Sequence, residues 1–397
     1  MKWWGVLNGH QWTMHGVGYV TDPSGRTQVV RREATSTIKI QPSLAQQLNS
    51  NAWNYMFAKN TAGTCDVTFS NSVTVDTSLY ILGDLCLDNS SSIVKAAAPD
   101  LTNIYVGEHI QFLGTGSVGT AANKINQAQV GLGCRIGSSG GWTTPCTAAT
   151  RVNATTILSG TIPGTGPTAD FAFWYSNAKP GPAQACTTTT GTPPAFEGTP
   201  AGGMNNNAGT INLTPGSSYS CKYYDIPPNQ TDLLGELSWN NTTKKLTVRG
   251  AIYIDGSAVI NNNTVNEYDG LATLYLSGTF RIDNGAQLCG GLAAGVCDFT
   301  AWNPNTDNLG IIANGNDGSG NSVVIANSAR VQGSLYSTNA VDIGQSAQFD
   351  GPMVTGTFKL ANSVQTHEFP TITTVPVGWP GNPTVYAEPQ PPQNYSG

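Results

Sequence analysis

Apolar residues recur with a fixed spacing in the second half of the chain. Counting from a small residue at position 0, apolar residues stand at +2 and +4, a short polar turn follows, and a small residue at +8 precedes an apolar one at +10. Segment 278–288 shows this repeat frame, with Phe280 and Ile282 as its first pair and Leu288 at its end. Because side chains two residues apart share one face of a strand, the frame predicts a strand, a tight corner and a second strand.

The repeat frame fits several other segments. They begin at Gly83, Gly250, Asn321, Asn339 and Gly356, with a poorer match from Glu108. The starts at 321, 339 and 356 are about one solenoid coil apart. A single coil cannot bury its apolar face alone, so coils must stack on one another. The pattern therefore predicts an all-β fold, a parallel and right-handed β-solenoid.

The corner of each predicted coil carries a row of polar residues. Position +6 is occupied by Asn89, Gly256, Asn284, Asn327, Gln345 and Asn362. Stacking would bring these side chains within hydrogen-bonding reach, which predicts an amide ladder. The alternative is a calcium-binding edge that uses the aspartates at +5, which are Asp88, Asp255 and Asp283. Later coils carry no aspartate at +5, which favours the ladder.

The first sixty residues follow another pattern. Two strand-like runs, 12–20 and 27–40, flank the turn sequence Asp22-Pro-Ser-Gly25 and predict a β-hairpin. The basic residues of this hairpin are interpreted as a solvated strand face. Residues 42–59 are expected to form one short helix, with Ser43 as its N-cap.

Composition shifts divide the chain into five predicted regions. They are an N-terminal hairpin and short helix (1–60), the first solenoid coils (61–115), a disulfide-containing insertion (116–240), the main solenoid (241–380) and a Pro-rich tail (381–397). The repeat frame lapses in the insertion, which is the kind of excursion where repeat proteins place recognition surfaces.

Cysteine usage indicates an oxidising compartment. The eight cysteines are Cys65, Cys86, Cys134, Cys146, Cys186, Cys221, Cys289 and Cys297. They are even in number and dispersed, with no C-x-x-C pair, which is typical of disulfides rather than of a zinc site. Pairing each cysteine with its nearest neighbour along the chain is the simplest of many possible connectivities.

Charge and hydropathy argue against two classes of protein, those that bind nucleic acid and those that span a membrane with a helix. Only 11% of the 397 residues are charged and the net charge is −6, which argues against a nucleic-acid partner. No apolar run is long enough for a signal peptide or a membrane helix. Because the other features indicate export, we expect an N-terminal export or anchoring segment to have been removed, and no membrane insertion of this chain.

The search for chemistry predicts no catalytic, cofactor or metal site. His109 beside Glu108 could act as a general base, but a solvent-facing strand histidine is the simpler interpretation. The carboxylates Asp342 with Asp350, and Asp255 with Asp283, could form pairs of the kind that cleave glycosidic bonds, but turn capping by aspartate is the preferred interpretation. The string Gly114–Gly119 resembles a phosphate loop but precedes no predicted helix. Aromatics that could stack on sugars, or cap the solenoid, are Trp142, Trp174, Tyr175, Trp239 and Trp302.

The order of these features resembles the exported region of large bacterial type IV minor pilins, which are pilus-assembly proteins. The hairpin GVGYVTDPSGRTQVVRREATSTIKI, the coils SLYILGDLCLDNSSSI and VRGAIYIDGSAVI, and the closing FPTITTVPVGWPG carry the resemblance. The chain departs from that group in lacking the hydrophobic N-terminal helix.

The resemblance implies a non-enzymatic, extracellular structural or adhesive protein of the cell surface. Its expected partners are other pilus or surface-protein subunits, or a surface glycan, and no binding residues are assigned. The alternative is an extracellular polysaccharide-active β-helix enzyme. An ice- or mineral-binding solenoid is a remoter alternative, because its rows of threonine are missing.

Overall fold

A computed structural model describes residues 2–8, 11–21, 29–42, 51–61, 63–97, 101–162, 164, 166–178, 186–197, 208–224, 233–261, 263–381, 387–389 and 393–396. The chain divides into two compact units. One comprises Met1–Ala45, Tyr224–Leu233 and Thr384–Gly397, and the other comprises Gln46–Tyr223 and Leu234–Pro383.

The described residues are almost entirely β-structure. The strands up to residue 160 are β1 Lys2–Asn8, β2 Gln11–Thr21, β3 Val29–Pro42, β4 Met56–Ala58, β5 Val67–Phe69, β6 Thr74–Val75, β7 Leu79–Ile81, β8 Leu85–Leu87, β9 Ser92–Ile93, β10 Asn103–Val106, β11 His109–Phe112, β12 Ser117–Val118, β13 Ile125–Val130, β14 Gly133–Ile136 and β15 Ala154–Ser159. The middle strands are β16 Thr187–Thr188, β17 Thr210–Asn212, β18 Tyr219–Tyr224, β19 Leu233–Asn240, β20 Lys245–Ile254, β21 Ser257–Ile260, β22 Val265–Asp269, β23 Leu271–Leu276, β24 Phe280–Ile282, β25 Gln287–Cys289, β26 Leu292–Ala293 and β27 Val296–Cys297. The remaining strands are β28 Asn308–Ala313, β29 Asn321–Ile325, β30 Arg330–Gln332, β31 Ser334–Ser337, β32 Ala340–Ile343, β33 Gln348–Asp350, β34 Met353–Thr355, β35 Thr357–Leu360, β36 Gln365–Thr366, β37 Ala387–Pro389 and β38 Gln393–Ser396. The helices among the described residues are α1, Phe171–Asn177, and two short 3₁₀ helices, Asn51–Asn54 and Ala148–Thr150.

The smaller unit is an antiparallel sheet. Strands β2 and β3 pair as the predicted hairpin, and β1 adds a third strand. The turn sequence predicted between β2 and β3 lies outside the described residues, as does Ser43. The tail, expected to be an extended linker, instead contributes β37 and β38, which pair antiparallel with β3. Pairing with β3 satisfies backbone groups that a free linker would leave to water.

The helix predicted over 42–59 is wrong for the residues that are described. That range contains the end of β3, a single 3₁₀ turn and β4. Met56, Phe57 and Ala58 are all buried in β4, so packing in the solenoid decides the conformation and overrides local helix propensity.

The larger unit is the predicted parallel β-solenoid. Coils contribute their +2/+4 strands to a ten-stranded parallel sheet and their other strands to a larger sheet that is parallel along the coils. The apolar side chains at +2 and +4 fill the core and are at most 2% exposed: Leu85, Leu87, Phe280, Ile282, Val323, Ile325, Val341, Ile343, Phe358 and Leu360. The shared apolar axis predicted from the repeat frame is therefore confirmed.

The coils do not stack in chain order. The ten-stranded sheet runs β17, β21, β24, β29, β32, β35, β5, β8, β11, β14. The last coil of the C-terminal half thus lies directly against the first coil of the N-terminal half. Phe358 is in register with Val67, and Leu360 with Phe69, so two separate stretches of chain form one continuous core.

The frame beginning at Gly250 is displaced by six residues. Its expected core residues Ile252 and Ile254 are buried, but they belong to β20. The strand equivalent to the other +2/+4 strands is β21, in which Ala258 pairs with Phe280 and Ile260 with Ile282. Two adjacent buried strands both present alternating apolar residues, so alternation alone does not distinguish them.

The row predicted as an amide ladder links successive corners at three of its positions, through hydrogen bonds between an amide side chain and the backbone. Side-chain oxygens of Asn284, Asn327 and Asn362 accept hydrogen bonds from backbone N–H groups of the next coil, at 3.1, 2.8 and 3.2 Å. The following residue, at +7, is left-handed in each regular corner, for example Ser346 with a φ of 57°. Gly256 and Asp255 lie outside this row, because their segment is displaced.

All four nearest-neighbour disulfides are present. They join Cys65 to Cys86, Cys134 to Cys146, Cys186 to Cys221 and Cys289 to Cys297. The insertion predicted from residue 116 begins later than expected, because β12 to β15 continue the parallel stack through Ser159. Within the remainder, α1 packs Phe171 and Trp174 against Tyr275 of β23.

Candidate functional site

A row of ionisable residues lies at the entry to three successive +2/+4 strands in the N-terminal half. Asp66 precedes β5, Asp84 precedes β8 and His109 begins β11. Because Val67, Leu85 and Ile110 are in register, the residues before them stack on one another. Glu108 precedes His109 and joins the same group. We refer to Asp84, Glu108 and His109 as the carboxylate–histidine cluster.

Short hydrogen bonds connect the row. The Nδ1 atom of His109 lies 3.0 Å from Oδ1 of Asp84, and the backbone N–H of His109 donates to the same oxygen at 2.9 Å. One coil earlier, Oδ2 of Asp66 accepts the backbone N–H of Asp84 at 3.1 Å. The His109 and Asp84 side chains remain 21% and 15% exposed, so solvent reaches them.

The crowding of carboxylates alters their protonation. Burial raises the pKa of Glu108, and the negative charges of Asp84 and Asp66, with a hydrogen bond to Asp84, raise it further. Burial also raises the pKa of Asp66, although backbone N–H groups oppose this. Burial and neighbouring negative charge both disfavour an ionised carboxyl group, so the pKa values of Asp66 and Glu108 lie above those of isolated carboxyl groups.

An aromatic side chain covers the imidazole. The Trp142 ring stacks on His109 with centroids 3.9 Å apart, and the Arg135 guanidinium carbon lies 4.2 Å from a Trp142 ring centroid. Arg135 in turn donates to Gln111 at 3.0 Å. Trp142 lies in the loop closed by the Cys134–Cys146 disulfide, which fixes it over the cluster.

A second histidine–aspartate pair lies in the last coils of the C-terminal half. Nδ1 of His367 is 2.8 Å from Oδ1 of Asp350, and the side chain of Gln348 donates to Oδ2 at 2.7 Å. Asp350 is only 1% exposed, and the ring of Phe299 stacks on His367 with centroids 4.2 Å apart. Both carboxylate oxygens therefore have partners within the protein.

The predicted carboxylate pairs are not assembled as pairs. Asp342 lies on β32 of the ten-stranded sheet and Asp350 on β33 of the larger sheet. Asp255 is buried and accepts the Ser277 hydroxyl at 2.8 Å, whereas Asp283 forms an ion pair with its neighbour Arg281 at 2.6 Å. The contacts of Asp255 and Asp283 are of the kind that stabilise the fold.

The other predicted features also have structural positions. Trp174, Trp239 and Trp302 are buried, as expected for caps and core, and Tyr175 donates to Glu197 at 2.9 Å. The string Gly114–Gly119 contains strand β12, not a phosphate loop before a helix. The +5 aspartates form no common edge, because Asp255 lies at a different corner.

Sequence reasoning found parts of the carboxylate–histidine cluster but not their assembly. Glu108 and His109 are recognised together from the sequence and Trp142 apart from them, whereas Asp84 is missed. The signal was available, because the repeat frame places Asp84 and His109 at the same +1 position of consecutive coils. No helix among the described residues has both the length and the apolar character needed to span a membrane.

Comparison with known proteins identifies a likeness of fold. No protein-family model matches the chain, and no curated protein sequence matches it. Among solved structures, the competence-associated pilin ComZ from Thermus thermophilus is similar, with a TM-score of 0.54 and 14% identity over 98% of this chain and 81% of that chain. At this identity the likeness concerns architecture, and it agrees with the resemblance to pilins at that level.

Proposed function

We propose that this chain is a non-enzymatic, pilin-like protein of the cell surface, in which the solenoid serves as a structural or adhesive scaffold. The observation that carries this proposal is the likeness of fold to a competence-associated pilin over 98% of this chain. Four disulfides support export to an oxidising compartment. The partners we propose are pilus or surface-protein subunits, or a surface glycan.

The path of the chain determines which kind of variant can test for a binding surface. Residues 160–209 lead from β15 at one end of the solenoid to β17 at the other, a distance of roughly 43 Å at one strand spacing per coil. Deleting that segment would leave a gap that no short linker closes. Surface substitutions, rather than deletion, are therefore the appropriate test of adhesion.

The decisive experiment locates the protein in its native host. We expect antibodies to detect the chain in surface appendages sheared from intact cells, with its cysteines oxidised, and to lose that signal when the major pilin gene is deleted. A cytoplasmic protein with free thiols would contradict the proposal. The enzyme alternative predicts glycan cleavage that Asp342→Ala or Asp283→Ala abolishes.

A further inference from the structure

We propose that Asp84, Glu108 and His109 bind one divalent transition-metal ion, and that Zn²⁺ is the metal this donor set suits. Each residue offers one possible ligand atom, and these atoms lie within 4.8 Å of one another. Zinc takes imidazole nitrogen together with carboxylate oxygen, whereas calcium takes six to eight oxygen ligands. The inference stands independently of the proposed function.

The backbone places these ligands before any metal binds. Asp84 and His109 are held in consecutive coils by parallel pairing of β8 and β11, and His109 is fixed further by its backbone hydrogen bond to Asp84. Rigid strands present ligands more exactly than loops do. A metal ion would therefore meet a site that needs only side-chain rotation.

The charge balance of the row favours a cation. Asp66, Asp84 and Glu108 bring three carboxylates together, and the side chain that ion-pair geometry gives them among the described residues is His109, whose Nδ1 lies 3.0 Å from Oδ1 of Asp84. A divalent ion held between these side chains would neutralise the repulsion among the carboxylates.

The surroundings leave room for ligands beyond the protein. Three protein ligands are one fewer than a closed structural zinc site contains, and the cluster is partly exposed to solvent. Trp142 covers one side through its stack on His109. Water, or a donor group from another molecule, would complete the coordination.

Calorimetric titration of the tag-free, disulfide-intact chain with ZnCl₂ tests the proposal. We expect one site, with affinity reduced at least about tenfold in Glu108→Gln and in His109→Gln. Glu108→Gln keeps the side-chain shape and removes a crowded charge, so it should fold, as near-UV circular dichroism would verify. The matched control is His367→Gln, which alters the other histidine–aspartate pair and should leave zinc affinity unchanged.

Two results would overturn the inference. One is the absence of zinc binding up to millimolar concentration, and the other is unchanged affinity in both cluster variants. Calcium binding that equals zinc binding would overturn the choice of metal. A second readout is tryptophan fluorescence: zinc should change the emission of the wild type, and Trp142→Phe should remove that change while the calorimetric affinity persists.

Discussion

The two histidine–aspartate pairs of the solenoid have the same construction and different surroundings. In each pair an imidazole Nδ1 contacts an aspartate, and an aromatic ring, Trp142 or Phe299, stacks on the imidazole. Each aromatic ring lies within or just after a loop closed by a short-range disulfide. The shared design shows that the coil scaffold supplies such pairs readily.

The two pairs differ in how completely protein groups surround the aspartate carboxylate. Asp350 is 1% exposed, and both of its carboxylate oxygens are hydrogen-bonded by His367 and Gln348. Asp84 is reached by solvent and is crowded by Glu108 and Asp66. The Asp350–His367 pair therefore stabilises the fold where the two chain halves meet, whereas the Asp84–His109 pair retains the capacity to bind a ligand.

The two halves of the solenoid also differ at position +1 of the repeat frame, which is the residue just before the first core residue of each strand in the ten-stranded sheet. In the C-terminal half this position carries small neutral residues, which are Ser257, Thr279, Ser322, Ala340 and Thr357. In the N-terminal half it carries Asp66, Asp84 and His109. At this position the C-terminal half is therefore uncharged, whereas the N-terminal half carries ionisable side chains.

The largest expected effect tests whether the two halves share one core. Phe69→Ala should lower the free energy of unfolding by about 3–5 kcal/mol, because Phe69 is fully buried and its ring lies 6.2 Å from that of Phe358 in the other half. Urea denaturation measures this. The control Thr68→Ala, on the outward face of the same strand, should cost about 0.5 kcal/mol or less. A cost for Phe69→Ala as small as that of the control would contradict a shared core.

The next effect concerns the disulfide beside the carboxylate–histidine cluster. Replacing Cys134 and Cys146 by serine should cost about 2–3 kcal/mol of stability and alter the fluorescence of Trp142, which that loop holds over His109. Thermal denaturation and emission spectra measure the two changes. The matched replacement of Cys289 and Cys297 should lower stability while leaving the Trp142 emission unchanged. Equal emission changes in both variants would contradict the claim that the Cys134–Cys146 disulfide holds Trp142 over His109.

A smaller effect distinguishes the buried pair by its pH dependence. Burial lowers the pKa of His367, but its hydrogen bond to Asp350 and the negative charges of Asp350 and Asp76 outweigh burial, and the pKa is raised. The pair's stabilisation is therefore fully present below the unfolded pKa and is lost as pH rises through the folded one. Urea midpoints from about pH 6 to pH 8 should fall more steeply in the wild type than in His367→Gln. Parallel curves would refute the assignment.

The smallest effect concerns charge crowding in the N-terminal row. Asp66→Asn removes one of the negative charges that raise the pKa of Glu108, so that pKa should fall while remaining above its ordinary value, since burial and Asp84 still act. Carbon-13 NMR titration of the Glu108 carboxyl measures it. Asp283→Asn, at a corner in the other half, should leave the Glu108 titration unmoved.

The sequence predicts the coils well because each coil is a local pattern. Alternating apolar residues such as Phe280 and Ile282 define strands without reference to the rest of the chain, and the disulfides link cysteines close in sequence. The coil of β5 and β6 lies within the predicted first coils but is not matched to the frame, because Cys65 stands where the frame expects a small residue such as glycine or asparagine. Strand identity, as at Gly250, was ambiguous where consecutive strands are both buried.

The order of the coils could not be predicted in the same way. Every coil presents similar apolar edges to both sides, so the frame does not state which coil adjoins which. The contact of β35 with β5 joins residues almost three hundred positions apart, and no local signal encodes it. The carboxylate–histidine cluster is different, because Asp84 and His109 lie in coils that are consecutive along the chain.

Cysteine cross-linking tests the central claim, that both halves form one solenoid, most directly. Thr68 and Lys359 are register partners on outward faces of β5 and β35, and all native cysteines are disulfide-bonded. A Thr68→Cys, Lys359→Cys variant should be cross-linked within one molecule by a short bifunctional maleimide. The control Thr68→Cys, Val259→Cys, five strands apart and roughly 24 Å distant, should not. Equal yields for both variants, or no cross-link between positions 68 and 359, would contradict the account.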